Sequence, residues 1–584
     1  VASSTASVTL DAGETADGLV FADDLTVTAL VQAATTIALR AGDDLSMGGT
    51  VIAGTTATLV AGDGDLDVGG SIVDANGAAE NVQATTLTAT AVGANPVGGF
   101  GISLDTRITT LAAATVGVGV GGLQTGGVRL DDVDGGMAVT LASAENGNVL
   151  LSATGGDLTI ASDPGGGAAG VFATTTAGND VVLSTFSNVT GVGNISLGTV
   201  SAADLVELNS VGNVNDTQVA GETATTGTVN VTATNLLARA VAGFGTAANP
   251  IETLVVTAAG RVDTGGYFQT DLAGGLTVGT VTSFGGEVVS GVLDTNLLNG
   301  AAAATIRANS PLTIAANVIM SGDVTLTAGE VANAPACIDD LLVSPGVTVE
   351  STLGNVSLLA GDDVIISAGA FVTAFGTATI TAGFGDLDAC GTVTNDGTVT
   401  SGSGGGGGGG PVIITAIGDI LLGLVIGPNG AMITSTTGSI LDGNDGEMNL
   451  VVNGFTLLSA ARVIGTPDDA LEVQQENGQF IANAGSASDE VSVNLQGQLE
   501  PDGRPFATRI PPGMILFNNS VYGGDSAEVF QQFAAELNIR STGERDHGKS
   551  GFFTGSMLYL DEVWSPDALF EWDATSDQGP LSQR

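Results

Sequence analysis

Positive charge is scarce in this sequence. Lys549 is the one lysine, His547 the one histidine, and 13 basic residues face 62 acidic ones, for a net charge of −49. A nucleic-acid face needs clustered Lys and Arg to displace counterions from phosphates, so nucleic acid is not an expected partner, and anionic membrane surfaces are disfavoured for the same reason. Cysteine is nearly missing as well. Cys337 and Cys390 are too few for a disulfide framework, and two distant thiols with one histidine do not read as a metal site. They form either a single bridge or two buried free thiols, and both readings stay open because the strand registers cannot be taken from sequence. No run of about eighteen apolar residues offers a transmembrane helix, and the opening VASSTASVTLDAG lacks the basic-apolar pattern of a signal peptide. Aromatics make up 4% and charged residues 13% against 43% hydrophobic residues. That balance is too apolar for a disordered acidic tail and too poor in rings for an ordinary globular core.

What the chain has instead is repetition. Ala41-Gly42-Asp43 recurs as Ala61-Gly62-Asp63, and Leu45, Met47, Gly48-Gly49 and Val51-Ile52 recur as Leu66, Val68, Gly69-Gly70 and Ile72-Val73. The period is about 20 to 22 residues, and the unit is strand, turn, strand: alternation such as Leu45-Ser46-Met47 has the two-residue period of a β-strand. The unit returns in NVSLLAGDDVIISAGAFV (355 to 372) and TATITAGFGDLDACGTV (377 to 393). Strands at this spacing, with Gly-Asp turns and no intervening helices, predict an all-β parallel β-solenoid whose lumen holds ladders of Val, Leu, Ile and Ala. A narrow lumen has little room for large rings. Residues 1–498 form the expected rod, and at about 21 residues per coil and about 4.8 Å per strand it has roughly 24 coils over about 115 Å.

Three departures interrupt the coil. Pairs of an apolar and an acidic residue, Leu104-Asp105, Ile251-Glu252 and Leu471-Glu472, mark a slower repetition of whole blocks. The run SGSGGGGGGGP at 401–411 lies between two coil units and reads as a loop bulging from the rod. From residue 499 to 584 the composition changes: both tryptophans, seven of nineteen phenylalanines and six of thirteen basic residues fall there. DSAEVFQQFAAELNIRS (525 to 541) places Val529, Phe530, Phe533, Ala534 and Leu537 on one helical face, so 499–584 is expected to be a small α-containing capping or assembly module.

The LxAGDDL units, GFGTAANPIETLVVTAAGRVDTGGYF (243 to 268) and PPGMILFNNS (511 to 520) resemble the filamentous-haemagglutinin-like group of large bacterial exoproteins. The resemblance implies an exported, right-handed β-helix that serves as an adhesin, surface fibre or matrix component, located outside the cell or on its surface. The NPNG-like motif of that group's secretion domain is not recognisable; GPNG at 427–430 is interior and reads as a turn.

Three functions follow from these residues. In the first the protein is a structural fibre subunit that polymerises with itself head-to-tail, through Val8 and Leu10 of the first coil and Phe530, Phe533, Trp564 and Trp572 of the terminal module. In the second it is a monomeric surface adhesin for a host, matrix or glycan ligand. The third and weakest is a β-helix polysaccharide-degrading enzyme using Asp63, Asp65 and Asp67, or Asp386 and Asp388. Residues 1–498 contain seven arginines and no lysine or histidine, which leaves little to neutralise an acidic sugar or act as a cationic base, and the chain is read as a non-enzyme. Gly-Asp pairs are ordinary turn residues, and most of these carboxylates are expected to face water. No cofactor is required. Calcium is the one candidate ion, at Asp63, Asp65 and Asp67, although Leu66 falls where a calcium-binding Gly-Asp repeat wants an aspartate.

Overall fold

The computed structural model describes residues 1–523 other than 5, 14–22, 63–69, 93–102, 118–125, 164–168, 187–192, 218–228, 273, 299–301, 332–336, 403–408, 445, 477–478, 486–490, 500–504, 511–513 and 518–519; from 495 onward only the backbone is described. Among the described residues every regular element is a strand, and no helix is long and apolar enough to cross a membrane. The expected helix at 525–541 lies outside the described residues, as do Phe530, Phe533, Trp564 and Trp572.

The strands form a parallel β-solenoid with three strands per coil. In the middle of the rod one coil is Val324–Ala328, Leu341–Val343 and Thr348–Ser351, and the next is Val356–Ala360, Val364–Ile366 and Phe371–Ala374. Equivalent strands pair in parallel: Val324 opposite Val356, Leu341 opposite Val364, Val349 opposite Val372. Three ladders therefore run along three faces. Most strands alternate buried and half-exposed residues, so Val356, Leu358 and Ala360 point into the lumen while Ser357 and Leu359 point out.

One ladder can be followed from Val8 through Ile37, Ala57, Leu87, Leu111, Val139 and Ile160, then from Leu158 of that same strand through Ile195, Val214, Phe244, Tyr267, Ala304, Val324, Val356, Ala378, Val412, Ala431 and Thr456 to Phe480. These are nineteen coils, about 86 Å at the usual strand spacing, fewer and shorter than the repeat predicts. Compact coils keep the short period, as from Ile37 to Ala57 or Val356 to Ala378, but others carry corner insertions, as between Val324 and Val356. One insertion folds back as an antiparallel hairpin of Thr280–Thr282 and Val288–Ser290. The glycine run leaves after Val393–Thr400 and returns before Val412–Ala416, and a Cβ on Gly409 would lie 2.1 Å from the Cα of Gly402. Gly402 and Gly409, on either side of residues outside the described ones, thus lie close together.

The lumen does admit rings. Phe244 and Tyr267 stack on successive coils with centroids 4.7 Å apart, and Phe480 is buried farther along. The Tyr267 hydroxyl donates to Gln269, whose amide donates to Thr253, so the polar end of the ring is satisfied inside. GPNG at 427–430 is a turn, closed by the Gly430 N–H donating to the Gly427 carbonyl. Gly346 (φ 74°) and Gly369 (φ 75°) take left-handed backbone at one corner of successive coils, a conformation that excludes most side chains.

Corners are held by side-chain caps. The backbone N–H that opens a strand donates to an Asp or Asn one coil earlier: Asp44 to Asp24, Ser71 to Asp44, Asp363 to Asp340, Thr392 to Asp363, Asn355 to Asp323, Thr377 to Asn355, Ser439 to Asp419, all at 2.7 to 3.2 Å. The aspartates of the Ala-Gly-Asp-Asp corners are therefore not merely solvated: Asp43 and Asp362 are each 1% exposed.

The three block repeats prove to be buried asparagine corners. The Asn449 amide donates to the Leu422 carbonyl, Asp442 and Asn444, and its oxygen accepts the N–H of Glu472. Asn81 does the same for Met47, Asp74, Asn76 and Asp105, and Asn230 for Leu197, Asp216 and Glu252. The acidic residues that receive this cap are those of the apolar-acidic pairs. Replacing Asn449 with Ala leaves several buried groups without partners and is expected to destabilise the rod by about 1–3 kcal/mol, a loss to be read from chemical denaturation curves of the two chains.

Candidate metal centre

Asp63, Asp65 and Asp67 lie outside the described residues. Their sequence twin is described. AGDGDLD at 61–67 and AGFGDLD at 382–388 share their spacing, so Asp65 corresponds to Asp386 and Asp67 to Asp388. In the second copy Ala328, Ala360 and Ala382 stand opposite one another on three successive coils. Each opens an Ala-Gly corner: Ala328-Gly329-Glu330, Ala360-Gly361-Asp362 and Ala382-Gly383, the last followed by the loop holding Asp386 and Asp388. Parallel stacking brings acidic residues from three coils to one place.

One carboxylate oxygen each from Glu330, Asp362 and Asp386 lie within 4.8 Å of one another, and Asp388 and Cys390 form a second such group with Asp362. Cys390 is bridged to Cys337 with Cα atoms 5.5 Å apart, which resolves the two readings of the cysteines and removes a thiolate ligand. The bridge ties the insertion after Glu330 to the loop carrying Asp386 and Asp388. Asp386 Oδ1 accepts the N–H groups of Asp388, Ala389 and Cys390, and Asp388 Oδ2 accepts that of Cys337 at 3.3 Å.

Several oxygens here have no hydrogen-bond donor. Asp362 Oδ2 accepts the Asp339 N–H at 2.7 Å, but its Oδ1 is shielded from solvent without a partner, as are both oxygens of Glu330 and Asp388 Oδ1. Burial, then the charges of Asp362, Asp339, Asp388 and Asp386, push Glu330 above the ordinary carboxylate range. Burial also raises Asp362, against the pull of the Asp339 N–H and, more weakly, the Ile338 N–H, and with the charges of Asp388 and Asp339 added. Neighbouring Asp340 is pushed up to about 6, mainly by burial. Glu330 and Asp362 escape a reading of the sequence because each sits in a common Ala-Gly turn; the available signal is the same corner carrying an acid on successive repeats.

A second acidic cluster lies nearer the N-terminus. Asp132 is fully buried, its Oδ1 accepts the Ile108 N–H at 2.9 Å, and Arg107 pairs with Glu80 and Asp134 beside it. Burial, countered by that N–H and reinforced by Asp131 and Asp134, pushes Asp132 up to about 7. Of the expected assembly residues, Val8 is buried in the first coil and Leu10 is half-buried against the core. Compared with known protein families, curated proteins and solved structures, the chain matches none.

A carboxyl group whose native pKa is raised binds protons on folding, so its stabilisation is present at low pH and fades as pH rises from the ordinary range near 4 through the native value. With a chelator present, the chain is expected to lose more stability between about pH 5 and about pH 8 than its Asp132→Asn variant, because Asp132 is raised to about 7. Denaturation midpoints at the two pH values measure the difference; equal losses would refute it.

Proposed function

We propose that this protein is a structural subunit of an extracellular or cell-surface bacterial fibre of the filamentous-haemagglutinin-like kind, with the acidic solenoid as shaft and residues 499–584 as capping and assembly module. The observation that carries this reading is the ladder from Val8 to Phe480, an unbroken stack of coils whose interior is apolar side chains and capped corners. Such a body spans distance and resists bending, because each internal coil is hydrogen-bonded to both neighbours. The Cys337–Cys390 bridge fits an oxidising compartment outside the cytosol. The net charge of −49 keeps separate shafts apart in solution.

Head-to-tail growth would run through strand edges such as that of the first described coil, where Val8–Ala12 pairs with Thr36–Ala41 and Ala2–Ser3 with Val31–Ala33. A parallel strand edge is a template for another strand, and a heterologous contact that does not close into a ring propagates. A surface adhesin is the second reading, favoured by the opposite end. There Phe480–Ala484 pairs antiparallel with Met514–Phe517, and Val491–Leu499 with Pro505–Ile510, so the parallel ladder is finished off rather than left open.

Negative-stain electron microscopy separates the two. The fibre reading expects filaments with an axial repeat of about 86 Å or more, and single rods when Leu10→Lys places a charge on the strand Val8–Ala12. Filaments that persist both in that variant and in a chain ending at residue 498 would sink head-to-tail assembly through these ends. Single rods from the unaltered chain at every concentration would select the adhesin.

A further inference from the structure

We propose that Glu330, Asp362, Asp386 and Asp388 form a calcium site that clasps three successive coils beside the disulfide. The argument rests on Asp362. It is 1% exposed, and its Oδ1 has no hydrogen-bond partner while the rest of the carboxylate is fixed by the Asp339 N–H. Its carboxylate lies among those of Glu330, Asp386 and Asp388. Both Glu330 oxygens and Asp388 Oδ1 are equally shielded and equally without donors. Arg307 comes near, its guanidinium beside Gly329, but none of the ion pairs Arg107, Arg239 and Arg261 make reaches this cluster, and its carboxylates take part in none of them. Several shielded carboxylate oxygens gathered at one corner, without donors or paired cations, are a poor arrangement for a protein alone and a usual one around a hard divalent ion.

Donor type selects the ion. Calcium takes six to eight oxygen ligands in irregular, flexible geometry, including several protein carboxylates at once, whereas magnesium demands a near-ideal octahedron and keeps several of its waters. Glu330, Asp362 and Asp386 offer carboxylate oxygens from three different corners within 4.8 Å of one another, a set of the first kind. The backbone caps on Asp362, Asp386 and Asp388 orient these carboxylates and leave oxygens over for the metal. A bound ion would join the Glu330 corner, the Asp362 corner and the loop at 383–391, segments far apart in sequence.

The test is hydrogen exchange of the full chain, followed by mass spectrometry during titration with calcium chloride. Calcium is expected to slow exchange about tenfold or more in peptides covering 324–331 and 383–391, with one shared midpoint at or below about 1 mM, and to leave 412–435 unaffected. Glu330→Gln and Asp386→Asn, two separate variants in case one folds poorly, are each expected to move that midpoint up about tenfold or more. Unchanged exchange in both peptides up to about 10 mM calcium overturns the site. So does a midpoint that neither variant shifts, which marks diffuse binding to the acidic surface, and protection by magnesium chloride at the same midpoint overturns the choice of ion.

Discussion

A backbone N–H at the start of a strand, donated to an Asp or Asn side chain one coil earlier, is the contact on which the rest of this molecule depends. Within a strand the parallel ladder satisfies the main chain, but at a corner the chain turns and the regular pattern breaks. The short Asp or Asn side chain supplies the acceptor at that break, as Asp24, Asp340, Asp419 and Asn449 do. Because the donor comes from the neighbouring coil, each cap also fixes register between coils. Lumen packing alone would tolerate slippage, since Val, Leu, Ile and Ala fill equivalent positions on every turn.

The composition follows from this device. A long rod has many corners, each corner favours a short acceptor, and many of those acceptors are aspartates. Much of the acidity of the chain is thus structural. It carries a cost that grows with regularity, because identical corners on adjacent coils set carboxylates close together. Where N–H donors are sufficient, as at Asp44 and Asp363, the charge is spread over backbone groups. Arginine relieves it at Glu207 and Glu287 through Arg239, and at Glu80 and Asp134 through Arg107. At Glu330, Asp362 and Asp388 the described donors run short, and this is the one corner of the rod braced by a disulfide.

A scaffold reading and an ion-binding reading fit together physically. A stack of coils bonded only to nearest neighbours is weakest against local opening at its corners, where insertions interrupt the strands. The insertion between Val324–Ala328 and Leu341–Val343 and the loop after Ala378–Ala382 are such places. A covalent bridge joins them, and an ion at the same spot would hold the third, intervening coil as well.

Much of the architecture was legible from the residues. The two-residue alternation and the recurring Ala-Gly-Asp pointed to strands, coils and an apolar lumen, because a short repeat without helices or large rings buries its apolar face by stacking on its neighbours. The asparagine corners were visible as apolar-acidic pairs, though only as a rhythm. What the tertiary structure decided is how sequence distance converts into stacking. Insertions of differing length hide the register, so nineteen coils do the work that a constant period assigns to more, Phe244 meets Tyr267, and Cys337 meets Cys390. The same holds for the acidic centre. Asp386 and Asp388 stand out in the sequence, but Glu330 and Asp362 join them only because parallel pairing places Ala328, Ala360 and Ala382 on one line, and that pairing is settled by corner caps acting between coils rather than by any local pattern.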